Sequence, residues 1–537
     1  MNDTSNSQIN GAAVRFLVAP AIVIVGAVAV LLLQLSTFAL TSRPSADLHY
    51  IVWATEACLI CWLMRFSRVD SVLRTKLMFL LFVIQCVAYL TVRIDGFTGG
   101  GHAILAFRWT ATPDELFQAA PETTISATKI EALKTSTSSS NYPAFRGANR
   151  DGIVQGPDLS NADWDARPPR EIWRRTVGVG WSSFAVSGDI CVTQEQRGSQ
   201  EAVVGYEVTT GKQIWVHNDD EYFREITGGN GPRATPAIDS GRVFAFGATG
   251  LLNCLNAVDG STFWQVDVLE DCQTENRLFG MSGSPLVIDS DTDKCVVVCP
   301  GGNNASVVAY DVITGQRMWS GGSAPASYSS PHLAKLCGVR QILNFNADGL
   351  FAHDADSGNV LWKQSWISNP AERNNVCQPV LLTQGTMSTA RVFLSSGYGK
   401  GAALLKIQRS RDAFSVSTIW ANRNLKAKFT SVVLHDGFLY GLDERILTCI
   451  DAATGDRRWK RGRYGYGQLL LIRDTLLIQA ENGDVCLVRA DPGKHHEITR
   501  FQALADRTWN HPVVARRFLL TRNDREAVCF DLSSRDD

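Results

Sequence analysis

Val307-Val308-Ala309-Tyr310-Asp311-Val312-Ile313-Thr314-Gly315-Gln316-Arg317-Met318-Trp319 reads as a strand, a tight turn and a second strand. Asp311 stands four residues before Gly315 and Trp319 four after it. The same frame returns as Glu207, Gly211, Trp215; as Asn256, Gly260, Trp264; as Asp354, Gly358, Trp362; and as Asp451, Gly455, Trp459. Arg489, Gly493 and Glu497 keep the spacing with the end residues changed. A period of about 40 residues made of short strands points to an all-β propeller with one four-stranded blade per repeat. The glycine supplies the positive φ that such a hairpin turn needs. The tryptophan is expected to wedge between blades.

The strands that end the blades carry Trp173, Trp215, Trp264, Trp319, Trp362, Trp420 and Trp459, with Glu497 in the eighth place. The Trp420 repeat is degenerate, since Gln408-Arg409-Ser410-Arg411-Asp412 replaces the usual turn. After Glu497 the chain supplies three more strand-like pieces, 511–515, 517–521 and 526–532, and Asp531 has no Trp strand behind it. Trp173 is a Trp strand with nothing before it. The segment near 171–176 is therefore expected to complete the last blade, giving eight blades and no open edge.

The formal net charge of -1 leaves no electrostatic footprint for nucleic acid, and no nucleic-acid partner is expected. Three apolar segments fill the first hundred residues, with spans near 16–40, 48–64 and 77–92, so residues 1–108 are expected to form about three transmembrane helices. Glu56 sits within the second. Arg65, Arg68, Arg74 and Lys76 lie between the second and third, against Asp70. The positive-inside rule then puts that loop and the N-terminus in the cytoplasm and the propeller outside the inner membrane. Residues 109–141, rich in Thr, Ser, Ala, Pro and Glu, read as a flexible linker, and the propeller is expected over 142–537.

The cysteines carry little chemistry. Cys58-x-x-Cys61 lies in an apolar segment with no following His, which excludes a c-type haem site. Cys254, Cys449 and Cys529 occupy a slot two residues before the frame Asn or Asp that elsewhere holds Gly205, Ala309 or Ala352, so they read as packing residues. Cys295 and Cys299 are too far apart along one strand for an easy disulfide. The nine histidines show no metal-binding arrangement, and His495-His496 reads as an exposed turn.

The frame Tyr-Asp-x-x-Thr-Gly-x-x-x-Trp resembles the repeat of the pyrroloquinoline-quinone (PQQ)-like eight-bladed propellers. Those include quinoprotein alcohol dehydrogenases and the propeller lipoprotein of the outer-membrane β-barrel assembly machinery. The stretch from Tyr142 to Gly152, Tyr-Pro-Ala-Phe-Arg-Gly-Ala-Asn-Arg-Asp-Gly, is similar to the lead-in of membrane-anchored bacterial members. The resemblance covers roughly residues 142–537 and speaks for the fold more than for activity. A quinoprotein enzyme would imply a vicinal Cys pair, calcium ligands from Glu and Asn, and an Asp base. No adjacent cysteines and no haem motif occur here, and no ligand set is carried over. The lipoprotein would imply an N-terminal lipid-bearing Cys, whereas Cys58 is the first cysteine.

Several innermost strands begin with a small or polar residue and Pro: Thr235-Pro236, Ser284-Pro285, Ser330-Pro331, Gln378-Pro379 and His511-Pro512. Three residues before the Pro position stand Trp181, Arg233, Tyr328, Lys428 and Trp509, with Ser282 and Val376. These equivalent positions predict an aromatic and basic ring at one channel mouth. Glu195, Arg197 and Arg463 are expected to add polar groups there. The sequence thus predicts a membrane-tethered, extracytoplasmic scaffold that binds a protein, peptide or small anionic ligand without catalysis and without a cofactor. A PQQ- and calcium-dependent oxidoreductase is the alternative.

Overall fold

A computed structural model of the chain describes residues 70–119, 141–289, 294–371, 373–383 and 386–533. The segments near 16–40 and 48–64, Cys58 and Cys61, and linker residues 120–140 lie outside the described residues.

The chain divides into two compact units, the first ending at Ala111. Its helix, Ser71–Thr91, starts at Asp70, whose carboxylate accepts the Val72 amide. At about 1.5 Å per residue it is about 31 Å long, the depth of a bilayer's hydrocarbon core. Three spans are expected from the sequence; among the described residues this one helix is long and apolar enough to cross a membrane. Phe79, Phe82, Tyr89 and Leu90 on it are exposed. The helix begins ahead of residue 77, so Arg74 and Lys76 belong to its first turns rather than to a loop. A two-stranded hairpin, Val92–Phe97 and Ala103–Phe107, follows it.

The second unit opens on a short helix, Pro113–Ala119, where the sequence reads as linker. The cause is a capping box: Thr112 Oγ1 accepts the Glu115 amide at 3.2 Å while Glu115 accepts the Thr112 amide at 2.7 Å. Pro113 suits the first helical position. The Arg197 guanidinium lies 4.7 Å from the Phe117 ring centroid.

Eight antiparallel sheets follow, and the first strands of successive blades lie against one another around an axis. Blades 1 to 4 run from Ala185–Ser187 to Gln213–Asp219, Ala237–Asp239 to Thr262–Asp267, Leu286–Asp289 to Arg317–Gly321, and His332–Leu336 to Val360–Ser365. Blades 5 to 7 run from Val380–Thr383 to Ala413–Asn422, Val433–His435 to Arg457–Arg463, and Gln468–Ile472 to Glu497–Gln502. Blade 8 is Val513–Ala515, Phe518–Arg522 and Glu526–Asp531, and its outer strand is Arg170–Thr176, from the other end of the unit. Cys529 pairs with Trp173 across that joint.

The repeat frame has a contact for each of its residues. The Asp311 carboxylate accepts the Ile313 and Thr314 amides and so holds the turn. Gly211 and Gly260 take φ of 66° and 73°, and a Cβ on either would stand 2.4 or 2.5 Å from the indole of Trp173 or Trp215 in the blade before. Trp173, Trp215, Trp264, Trp319 and Trp420 thus each lie on the next blade's turn, where only glycine leaves room. Trp215 Nε1 also donates to Ala257 O at 3.1 Å, and Trp264 Nε1 to Val312 O at 3.1 Å, tying neighbouring blades. Blade 5 lacks the turn, and there the pattern breaks: Trp362 Nε1 donates instead to Gln341 of its own blade at 2.7 Å. The small slot has a cause too. Gly205, Cys254, Ala309, Ala352, Cys449 and Cys529 each pair directly with their own blade's tryptophan. Cys254, Cys449 and Cys529 are free thiols and fully buried. His495 is not an exposed turn residue: it is half-buried, edge-on to Trp459 at 5.6 Å.

Candidate functional site

The Ser/Thr-Pro starts of the inner strands form a belt around the axis. Thr235 Oγ1 accepts the Ser183 amide, Ser284 Oγ the Thr235 amide at 2.9 Å, and Ser330 Oγ the Ser284 amide at 2.9 Å. Ser431 Oγ likewise accepts the Gln378 amide at 3.1 Å. Ser183 Oγ donates to His511 O, which carries the belt across the junction of blades 8 and 1. Small hydroxyl residues here satisfy backbone amides that have no strand beside them.

Ahead of the belt, several of the residues expected at the mouth share one register, with a change in blade 6. Trp181 to Ile190, Arg233 to Arg242, Phe429 to Phe438, Tyr466 to Thr475 and Trp509 to Phe518 span the same nine-residue interval to the second strand of the blade. Phe429, not Lys428, is therefore the blade 6 member, because blade 6 lacks the Pro that marks the register elsewhere. Tyr466 is the blade 7 member, which the sequence reading missed for the same reason.

One arc of this ring is continuous. Trp181 and Trp509 lie 4.8 Å apart, and the Arg507 guanidinium sits 4.7 and 4.5 Å from their centroids. Phe429 bridges Trp509 at 5.5 Å and Tyr466 at 5.4 Å. The Lys428 ammonium reaches the rings of Tyr466, Phe429 and Tyr398 at 4.8, 4.9 and 5.1 Å. Burial raises the nearby Glu444 carboxyl, against the pull of Lys428.

The other predicted residues fall into different settings. Trp181 is buried, and its Nε1 donates to Gly228 O at 2.6 Å. Arg233 donates to the Gly229 and Gly231 carbonyls, both at 2.6 Å, and burial lowers it to about 10. Both therefore clamp the loop that enters blade 2. Tyr328 is buried on blade 4 beside Phe279. Glu195 and Arg197 belong to the seam between blades 8 and 1: Glu195 is fully buried, bonds Arg197 at 3.0 Å, and accepts the Tyr206 hydroxyl and the Gly178 amide. From blade 8, Arg522 crosses the same seam to Gly178 O at 2.8 Å and Gln194 O at 3.1 Å. Arg463 is exposed at the end of blade 6's outer strand, away from the axis.

Two sets of contacts do not follow from the sequence reading. The first is the lead-in, which enters the opposite mouth and touches blade after blade. Tyr142 pairs with Val186, Pro143 O accepts Ile238 N at 2.8 Å, and Ile153–Val154 add a parallel strand to blade 7. Arg150 donates to Ser284 O and Pro285 O of blade 3 at 2.9 and 2.8 Å. Arg146 donates to Gln378 Oε1 of blade 5 at 3.3 Å and Val432 O of blade 6 at 2.8 Å. Both arginines have positive φ, 64° and 57°. The second feature is on the ring side. The loops into blades 2 and 3 expose Tyr222, Ile226 and Leu278 at 47%, 64% and 52%. An open recess of about 520 Å³ lies beside Leu278, lined by Arg277, Asn276, Gly302 and Pro325 among others. Isolated apolar loop residues give no periodic signal, which is why sequence reading passes over them.

Residues 199–461 match a family model, PQQ_2, described as outer membrane protein assembly factor BamB. A curated protein of that description from Shewanella oneidensis is 24% identical over 333 residues, covering 53% of this chain and 78% of the relative. The quinohemoprotein alcohol dehydrogenase ADHIIG of Pseudomonas putida HK5 superposes with a TM-score of 0.54 at 12% identity, over 76% of this chain and 82% of that one. The quinohemoprotein alcohol dehydrogenase of Comamonas testosteroni gives 0.52 at 12% identity, over 76% and 83%. The second unit thus shares the eight-bladed propeller fold of these dehydrogenases, and its residues 199–461 are similar to the PQQ_2 family. Among the described residues no group of three or more acidic, His or Cys side chains is placed to hold a metal ion, and Arg146 and Arg150 reach into the belt.

Proposed function

We propose that this chain is a membrane-tethered, non-catalytic scaffold whose propeller lies outside the cytoplasmic membrane and docks a protein partner on the ring side. The observation that carries this reading is the apolar group Tyr222, Ile226 and Leu278, exposed on two adjacent loops. Arg224 is exposed between the first two of these, and Arg277 borders the recess. Exposed apolar side chains rimmed by charge are the usual make-up of a protein-binding surface. The loops are firmly held, since Trp181 and Arg233 clamp one and Tyr328 supports Phe279 in the other. Held loops bind with little ordering cost. The ring residues then act as the frame of the docking face rather than as its contact atoms. A relative named as an outer membrane protein assembly factor supports a protein partner over a small substrate.

A photo-crosslinking residue placed at Ile226 or Leu278 in cells should trap discrete protein adducts. The same residue at Phe263, exposed on a blade's outer strand, should not. Ile226→Asp with Leu278→Asp should reduce the adduct at Tyr222 at least tenfold, as expected of a small interface core. Equal trapping at Phe263, or none at the ring side, would overturn the assignment. PQQ recovered from the purified protein with added calcium would favour the oxidoreductase instead.

A further inference from the structure

We infer that the propeller axis holds a small inorganic anion, a halide or a compact oxyanion, between Arg146, Arg150 and His332. Arg146 and Arg150 are 1% and 5% exposed, and neither forms an ion pair among the described residues. Every partner of the two guanidinium groups is neutral: the carbonyls of Asp151, Val432, Ser284 and Pro285, and the amide oxygen of Gln378. The carboxylate of Asp151 accepts the Ile153 amide and stays beyond ion-pair distance of both. Two cations are therefore enclosed at the belt with no carboxylate in contact, and only Asp151, at longer range, offsets Arg146.

The unpartnered atoms point to the occupant's sign. Nε of Arg146, Nε of Arg150 and Nδ1 of His332 are all buried without a hydrogen-bond partner. The guanidinium atoms can only donate, and a neutral imidazole can donate from Nδ1. His332 lies on blade 4, between the blade 3 carbonyls held by Arg150 and the blade 5 amide held by Arg146, and both cations depress its proton affinity. His511 is a neighbour rather than a ligand: its Nδ1 donates to Pro512 O, which leaves its Nε2, also buried without a partner, as an acceptor that an anion cannot use. A cation is excluded by two fixed positive charges. A small anion can accept from donors of this kind and neutralises half the charge or more.

The anion is an axial tie. The lead-in's arginines reach blades 3, 5 and 6, and the anion joins blade 4 to them. Its presence links folding to anion concentration, because it binds only the closed ring.

The test uses the full-length chain in detergent, melted at constant ionic strength in sodium isethionate with chloride or phosphate exchanged in. The wild type should gain about 3 °C in Tm, saturably, at an anion concentration on the order of one hundred times the dissociation constant. A response to chloride alone identifies a halide site, and a response to phosphate an oxyanion site. Arg150→Met should abolish the gain, while Lys335→Met, which removes an equal charge at an exposed site, should keep it. An identical wild-type Tm in all three salts, or an undiminished gain in Arg150→Met, would overturn the proposal. Should Arg150→Met fail to fold, wild-type crystals soaked in bromide and in selenate decide: an anomalous peak between Arg146 and Arg150 in either supports the site, and its absence from both rejects it.

Discussion

The rim of this propeller and its axis are built on opposite principles. At the rim one contact is repeated: a tryptophan of one blade lies on the turn glycine of the next, as Trp173 does on Gly211 and Trp215 on Gly260. At the axis the repeated hydroxyl-to-amide belt is plugged by contacts that each occur once. Arg146 and Arg150 tie the lead-in to blades of different number, the His511 ring meets Phe145 of the lead-in edge-on, and His332 lies buried near both arginines. A repeated contact spreads stability evenly and tolerates the loss of one copy, as in blade 5. A single contact has no substitute, but its loss leaves the blades themselves intact. The comparison teaches that closure of the ring belongs to the rim, and exclusion of water and fixing of blade angles to the axis.

Truncation separates the two with the largest effect. A chain that starts at Gly178 lacks Arg170–Thr176 and leaves the edge of Glu526–Asp531 open to other chains. It should lose the cooperative melting transition and aggregate. A chain that starts at Leu159 keeps the closing strand and loses only the lead-in. It should stay monomeric, with a lowered but cooperative transition by calorimetry and light scattering. Were the Leu159 chain to aggregate as well, the axis would share in closure and the division would fail.

Substitution at the rim comes next. Trp215→Ala removes a buried indole from between two blades and should cost about 3–5 kcal/mol in denaturant unfolding. Trp362→Ala should cost less, near the lower end of about 3 kcal/mol, because no turn glycine receives its ring and its Nε1 bond lies within its own blade. Equal costs would mean that the turn glycine contributes nothing to the fit.

This division also governs what could be read from the chain. Blade number, the closing strand and the packing cysteines are legible because Asp, Gly and Trp recur at fixed spacing, and recurrence makes each copy evidence for the others. The mouth is half legible. Trp181, Arg233 and Trp509 share a register that Pro236 and Pro512 announce, whereas Phe429 and Tyr466 lack such a marker. Glu195 and Arg197 are expected at the mouth, but the alternation of their strand turns them into the seam with Arg522. The plugging role of Arg146 and Arg150 was not legible, because it depends on which blades the lead-in meets in space. The helix Pro113–Ala119 was legible from Thr112 to Glu115 and was hidden by a compositional reading.

Acid should unsettle the axis before the rim. Burial, with the charge of Arg150 and Arg146 near by, pushes His332 down to about 3, and burial with Arg146 does the same to His511. An unfolded histidine titrates near 6.5. Between those values the unfolded chain binds a proton that the folded chain refuses, so stability is full above pH 6.5 and falls as pH drops toward 3. From pH 7 to 5 each histidine should cost up to about 2 kcal/mol. His332→Asn should flatten that decline by its share, visible as a smaller uptake of protons on unfolding at pH 5.5. The anion inferred on the axis modifies this in a definite direction. A negative charge beside His332 favours its protonated form in the folded state, raises its pKa and makes the decline shallower. Melting from pH 7 to 5 in chloride or phosphate should therefore be less steep than in isethionate for the wild type, and the salts should agree for Arg150→Met. An acid limb that is flat in every salt would show that the histidines are hydrated, and that the axis is less tightly closed than the rim.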